Sequence, residues 1–187
     1  MITQKGVPCR VTSKGYSGAK SKEVYQELFL SSMPLLMERP TYCVIIVGIN
    51  DAVSKLGKNY YSYHYILMLQ QLLKMGIKPV VIEIPDVNYH AIASRESRFI
   101  RISHFLSSIV TDSELYNFHS YRENLKKAIK EASLDKRIVY VRSDAWNAEG
   151  YKDSNDLYLP DEVHLNPYGY YKLDSCMASI ILNDYVH

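Results

Sequence analysis

Asp161 and His164 stand three positions apart in DEVHLN (161 to 166), just ahead of the last helical stretch of the chain. A carboxylate that accepts a hydrogen bond from one imidazole nitrogen fixes the ring's tautomer. The other nitrogen can then take a proton from a nucleophile. Such a base needs two further things, a nucleophile and donors for a developing oxyanion. Asn50, in GIND (48 to 51) directly after an apolar run, can offer a side-chain amide, a contribution of about 3 kcal/mol in an acyl-transfer site. Gly18, in GYSGA (15 to 19), can offer a backbone N–H, because glycine lets the chain approach a ligand closely. Ser17 lies between Gly15 and Gly18 in a segment that approximates the G-x-S-x-G nucleophile elbow, with Ala19 in place of the last glycine.

Each feature has a plainer reading. Asn50 and Asp51 can make a turn and cap a helix, and GYSGA can be a tight turn. Asp161 or Asn166 can be the N-cap of a helix that has Pro167 in its first position. Capping does not explain His164. The other histidines offer less: His64 falls in a helical stretch, His90, His104 and His119 in the irregular segment 86 to 120, and His187 at the end. None pairs at i, i+4, so neither a metal nor a cofactor is expected.

These residues need a scaffold, and the apolar pattern supplies one. YCVIIVG (42 to 48), KPVVIEIP (78 to 85) and RIVYVRS (137 to 143) have the length and β-branched content of buried parallel strands. A further strand is expected at PCRVTS (8 to 13). Apolar positions three and four apart predict helices over 21 to 37, 60 to 76, 121 to 134 and 167 to 185, with Gly76 in place for a C-cap. Alternating strands and helices predict a parallel sheet covered on both faces. Ligands of such sheets bind outside the carboxyl ends of the strands, where GYSGA, GIND, IPD (84 to 86) and SDAWN (143 to 147) fall. Residues 86 to 120 are too long for a simple connection; they are expected to hold a helix near 95 to 110 and to form a lid or substrate wall.

The 187 residues, 47% of them hydrophobic, suit a single domain spanning 1 to 187. With 22 basic against 20 acidic residues and no long run of like charge, nucleic acid is not an expected partner. Cys9, Cys43 and Cys176 show no disulfide or metal spacing. The start MITQKGVPCR has no apolar core of a signal segment and no run is long enough for a membrane span, so a cytoplasmic protein is expected as written, with the location open if a leader lay upstream. The 17 tyrosines are expected mainly as half-buried rings with wet hydroxyls.

Taken in order, GYSGA, GIND and DEVHLN followed by PYGY resemble the glycine, GxND and DxxH blocks of the SGNH hydrolases, also called GDSL esterases and lipases. The resemblance runs from about residue 10 to the C-terminus. It implies a flavodoxin-like three-layer α/β/α sandwich with a mainly parallel sheet, acting on esters, often of acylated sugars or lipids. It also implies that Gly18 and Asn50 donate to the oxyanion while Asp161 and His164 complete a triad. The family's serine, in a GDS motif after the first, central strand, has no counterpart here, and the 14 residues before Gly15 cannot hold that strand, its loop, a helix and a second strand. The expectations are, in order, a truncated or altered N-terminus, a non-catalytic binding or scaffold relative, and Ser17 as nucleophile. A missing central strand leaves neighbours unpaired, so a homo-oligomer or a complementing chain is the expected partner.

Overall fold

The computed structural model describes residues 6–86, 118–147, 155–161 and 163–186. Three apolar runs pair as a parallel sheet in the order β1 (Tyr42–Ile45), β2 (Lys78–Ile82), β3 (Val139–Val141). Each strand is shorter than its apolar run: trailing residues leave the ladder to build the carboxyl rim, and at β3 the leading Arg137 and Ile138 also stay outside it. Pro79 fits the central strand because the β2–β3 ladder begins only at Val80 and Val139, so its missing N–H costs no bond there.

The helices are α1 (Ser21–Phe29), α2 (Met33–Met37), α3 (Ile49–Val53), α4 (Lys58–Lys74), α5 (Phe118–Glu131) and α6 (Pro167–Val186). The expected continuous helix over 21 to 37 is two helices. Pro34 cannot donate inside a helix but fits the first turn of a new one, and Ser32, buried at the break, bonds the Tyr16 hydroxyl at 2.6 Å. Residues 8 to 13 form no strand: they are irregular and exposed, with Val11 80% exposed. An isolated alternating segment gains a strand's hydrogen bonds only beside a partner, and none lies there among the described residues. His119 is an exposed residue of α5 rather than part of an irregular insertion, and the expected helix near 95 to 110 lies outside the described residues.

Side chains alternate across the sheet. On one face Ile45, Val81 and Tyr140 meet α4 and α5: the Tyr65 hydroxyl donates to the Ile45 carbonyl at 3.0 Å, and Lys126 lies over the Tyr140 ring at 5.9 Å. Tyr61, Tyr65 and Tyr121 are fully buried in this layer with ring centroids 5.4 and 5.6 Å apart, so a share of the tyrosines is core rather than half-wet surface. On the other face α6 packs on β3, and its Asp184 bonds the Tyr42 hydroxyl at 2.7 Å and the Lys78 ammonium at 2.5 Å. Beyond Tyr42 this cover stops. Val44 and Ile46, on the same face, are 38% and 58% exposed, and among the described residues no strand pairs with the outer edge of β1.

Two glycines are needed where they stand. Gly76 follows the C-cap of α4 with φ +75°, as its placement in the sequence predicts. Gly48 caps α3 at φ +131°, and a Cβ there would lie 2.5 Å from Ile84 Cδ1 and 2.6 Å from the Tyr61 ring. The GIND turn therefore rests directly on the core.

Candidate active site

The short turn around Asp161 is built by that one carboxylate. Oδ1 accepts the backbone N–H groups of Val163 and His164, both at 2.9 Å, and Oδ2 lies 2.7 Å from His164 Nδ1. The His164 N–H first, then the Val163 N–H and the His164 ring, hold the Asp161 carboxyl well below the usual carboxylate range. An ionised Asp161 can only accept, so Nδ1–H donates to it and the imidazole's other nitrogen is left to take a proton. The His164 side chain is 68% exposed.

A small hairpin carries this turn. Tyr158 and Leu165 form an antiparallel bridge, Leu159 N–H donates to the His164 carbonyl at 2.8 Å, and Asn166 N–H to the Leu157 carbonyl at 2.8 Å. Asn166 closes it twice over. Its oxygen accepts from Tyr168 and Gly169 N–H at 2.9 Å each, capping α6 ahead of Pro167, while its amide donates to the Asp156 and Tyr158 carbonyls at 2.7 and 3.1 Å. Gly169 is held tightly under the hairpin, for a Cβ on it would stand 2.2 Å from the Leu157 carbonyl oxygen. The Tyr158 hydroxyl donates to the Asp86 carbonyl, and Arg122 of α5 bonds both the Ile84 carbonyl, at 2.7 Å, and the Asp86 carboxylate. Those contacts seat the hairpin over the carboxyl end of β2.

The second cluster stands beyond β1. Tyr16 to Ala19 make a turn closed by Ala19 N–H to the Tyr16 carbonyl at 3.2 Å, with Gly18 at φ +70° in the third position of a type II arrangement. Asn50 Nδ2 donates to the Ala19 carbonyl at 3.1 Å, bringing the Asn50 amide against the Gly18 turn. One of its two hydrogens is used there, and among the described residues the second has no acceptor. Asp51 is fully buried and grips the first residue of α1: Oδ2 accepts Ser21 N–H at 2.9 Å and Oδ1 accepts the Ser21 hydroxyl at 2.5 Å. Burial raises the Asp51 carboxyl and the Ser21 donors only partly offset it. Ser17 is exposed at the second position of the turn, follows no strand and takes an ordinary negative-φ backbone. Among the described residues no hydrogen bond joins it to His164.

Gly18 with Asn50 and Asp161 with His164 are therefore two assembled pairs, both at the carboxyl rim, one past β1 and one over β2. Neighbouring strands are about 4.8 Å apart. The shallow groove between the ends of α4 and α5, bounded by Gln70, Lys74, Leu134 and Arg137, lies at the amino side of the strands, away from both pairs. His64 is turned inward with Nδ1 2.9 Å from the Tyr60 carbonyl, and burial pushes the Cys43 thiol up to about 11, out of the range of a reactive thiolate. His90, His104 and His187 lie outside the described residues.

Several supporting residues carry no sequence signal of their own. Glu83, buried past β2, accepts Ser143 N–H at 2.7 Å and its hydroxyl at 2.8 Å and pairs with Lys126 at 2.8 Å. Burial works to raise the Glu83 carboxyl, but Lys126 and Ser143 outweigh it and hold it low. IEIPD reads as a strand end in the sequence, and only the fold reveals that Glu83 ties β2 to the turn after β3.

Parallel strands, helices on both faces and functional groups at the carboxyl rim define an open α/β sandwich of flavodoxin-like kind. The sequence matches the model of the GDSL-like Lipase/Acylhydrolase family over residues 2–172, and the chain belongs to that family. Its fold is similar to a GDSL-like lipase from Bacteroides thetaiotaomicron VPI-5482, with TM-score 0.64 and 17% identity over 91% of this chain and 75% of that one. It is also similar to the acetyl xylan esterase AlAXEase, with TM-score 0.61 and 19% identity over 89% of this chain and 78% of that one. A third likeness is to the psychrotrophic esterase EstA from Pseudoalteromonas sp., with TM-score 0.58 and 16% identity over 91% and 75% of the two chains. No curated protein matches the sequence.

Proposed function

We propose that the chain carries the base and the oxyanion donors of an SGNH-type carboxylic ester hydrolase, and that the complete site removes a short acyl group, acetyl above all, from a carbohydrate or other small alcohol. The observation that carries this reading is the 2.7 Å bond between His164 Nδ1 and an Asp161 carboxylate already anchored by two backbone N–H groups. The likeness to an acetyl xylan esterase supports the choice of acyl and alcohol.

In this mechanism a serine hydroxyl attacks the ester carbonyl and gives its proton to the free His164 nitrogen. The tetrahedral oxyanion takes hydrogen bonds from Gly18 N–H and from the spare Asn50 Nδ2 hydrogen. Collapse expels the alcohol, which His164 protonates, and water attacks the acyl-enzyme with His164 again as base. The serine enters beside the outer edge of β1, carried by a segment beyond the described residues or by a complementing chain. The edge of β1, unpaired among the described residues, and the exposed Val44 and Ile46 support that position. Within the described chain the alternative nucleophile is Ser17, exposed in the Gly18 turn.

A second reading, a binding protein without catalysis, is favoured by one observation: among the described residues no serine hydroxyl bonds the His164 ring. Hydrolysis of p-nitrophenyl acetate by wild type, His164→Ala and Ser17→Ala separates the readings. Loss of activity by about 100-fold or more in His164→Ala alone supports a serine from elsewhere, and loss in both supports Ser17. Wild-type protein with no activity above buffer leaves the binding protein.

A further inference from the structure

We infer that Trp146 and Asn147 form a subsite that binds an oxygen acceptor on the alcohol part of the substrate, an inference that rests on the ester-hydrolase reading above. Both residues are 94% buried, being only 6% exposed, and among the described residues no group accepts from Trp146 Nε1–H or Asn147 Nδ2–H. Buried donors are ordinarily paired, and leaving one unpaired is costly. Here two such donors are adjacent in the chain, and both nitrogens can only donate. Their complement is an oxygen: a sugar hydroxyl, a ring oxygen or a carbonyl.

Their place on the rim argues for the alcohol. The backbone N–H groups of Trp146 and Asn147 both donate to the Ser143 carbonyl, at 3.4 and 3.0 Å, and Ser143 is held by the Glu83 carboxylate. The backbone that carries the two donors is thus fixed past the carboxyl ends of β2 and β3. The His164 hairpin is seated on the Asp86 carbonyl, three residues past Glu83, a reach of at most about 11 Å. Asn50 and Gly18 stand past β1, two strand spacings or about 10 Å from β3. With the acyl oxygen received at β1 and the base over β2, the group that reaches β3 is the one leaving on the far side of the ester.

Trp146 is the chain's single tryptophan, so its emission reports this subsite directly. Titration of the wild-type protein with xylobiose, cellobiose and chitobiose is expected to give a saturable change in Trp146 emission with at least one of them, and sodium acetate none. Asn147→Asp keeps the size and replaces the donor with an acceptor. It should weaken the responding disaccharide at least about fivefold, and Trp146→Phe, followed by calorimetry, should do the same. A thermal midpoint near that of wild type for either variant shows that the fold is intact. Emission that no disaccharide changes, or wild-type affinity in both variants, overturns the subsite. Binding is read without turnover, so protein that binds sugar through these residues yet hydrolyses nothing counts against the catalytic reading alone.

Discussion

Asp51→Ala probes whether the oxyanion donors are held by a buried carboxylate. Asp51 and Ser21 are both fully buried, and truncation leaves the Ser21 N–H and hydroxyl without the acceptors now at 2.9 and 2.5 Å. Each stranded donor costs about 1–3 kcal/mol, offset in part because a desolvated carboxylate is no longer needed, which gives a net loss of about 2–4 kcal/mol. Asp51→Asn keeps one acceptor oxygen and should lose about half as much. Urea unfolding measures both, with an unchanged slope showing that the two states are the same. The pH dependence provides an independent sign. Burial raises the Asp51 pKa, so the folded protein binds that proton more tightly than the unfolded chain does. Its contribution is full below the unfolded value of about 3.9 and is lost as pH climbs through the raised folded value, so the advantage of wild type over Asp51→Asn should shrink with rising pH. A loss below about 1 kcal/mol for Asp51→Ala, or an advantage that widens with pH, refutes the reasoning.

Asp161→Asn should lower ester hydrolysis by about 100-fold or more while lowering the thermal midpoint only modestly near neutral pH, since the Asn oxygen can still accept the Val163 and His164 N–H groups. The depressed Asp161 pKa stabilises the fold above the unfolded carboxylate value, and that contribution fades as pH falls towards the folded one, which acid titration of the thermal midpoint in wild type and Asp161→Asn will show. Asn166→Ala removes the α6 cap and the hairpin clamp together and should cost about 2 kcal/mol in urea unfolding, whereas Asn166→Asp keeps the cap and loses only the clamp. Gly48→Ala, which drives a Cβ into Ile84 and Tyr61, should cost about 3 kcal/mol or more and show as a large fall in thermal midpoint. Light scattering and calorimetry on the isolated chain should find either an oligomer or a low melting temperature; a monomer of high stability counts against a missing neighbour for β1.

The three strands, the helix expected over 60 to 76 and found at Lys58–Lys74, and the last helix were legible because each buries a long apolar face, and period alone marks that. PCRVTS misled because alternation marks a strand only where a neighbour exists. The break at Leu30 to Ser32 was written in Pro34, but the run of apolar residues on either side masked it. At the site, the Asp161 and His164 pair was readable because both partners lie within one turn. Glu83 with Ser143, Tyr158 with Asp86 and Asn50 with Ala19 are 60, 72 and 31 positions apart, so only the fold brings them together. Trp146 and Asn147 look in the sequence like an ordinary loop, and their unpaired nitrogens become visible only once burial is known.

The edge of β1 leaves a signature in amide exchange. In a parallel ladder successive residues point their N–H groups to opposite sides, and the register with β2 commits those of Cys43 and Ile45 inward. Deuterium should therefore enter at Val44 and Ile46 long before it enters at Cys43 and Ile45, giving one strand two alternating clocks. Anything that zips onto that margin would slow the fast pair alone.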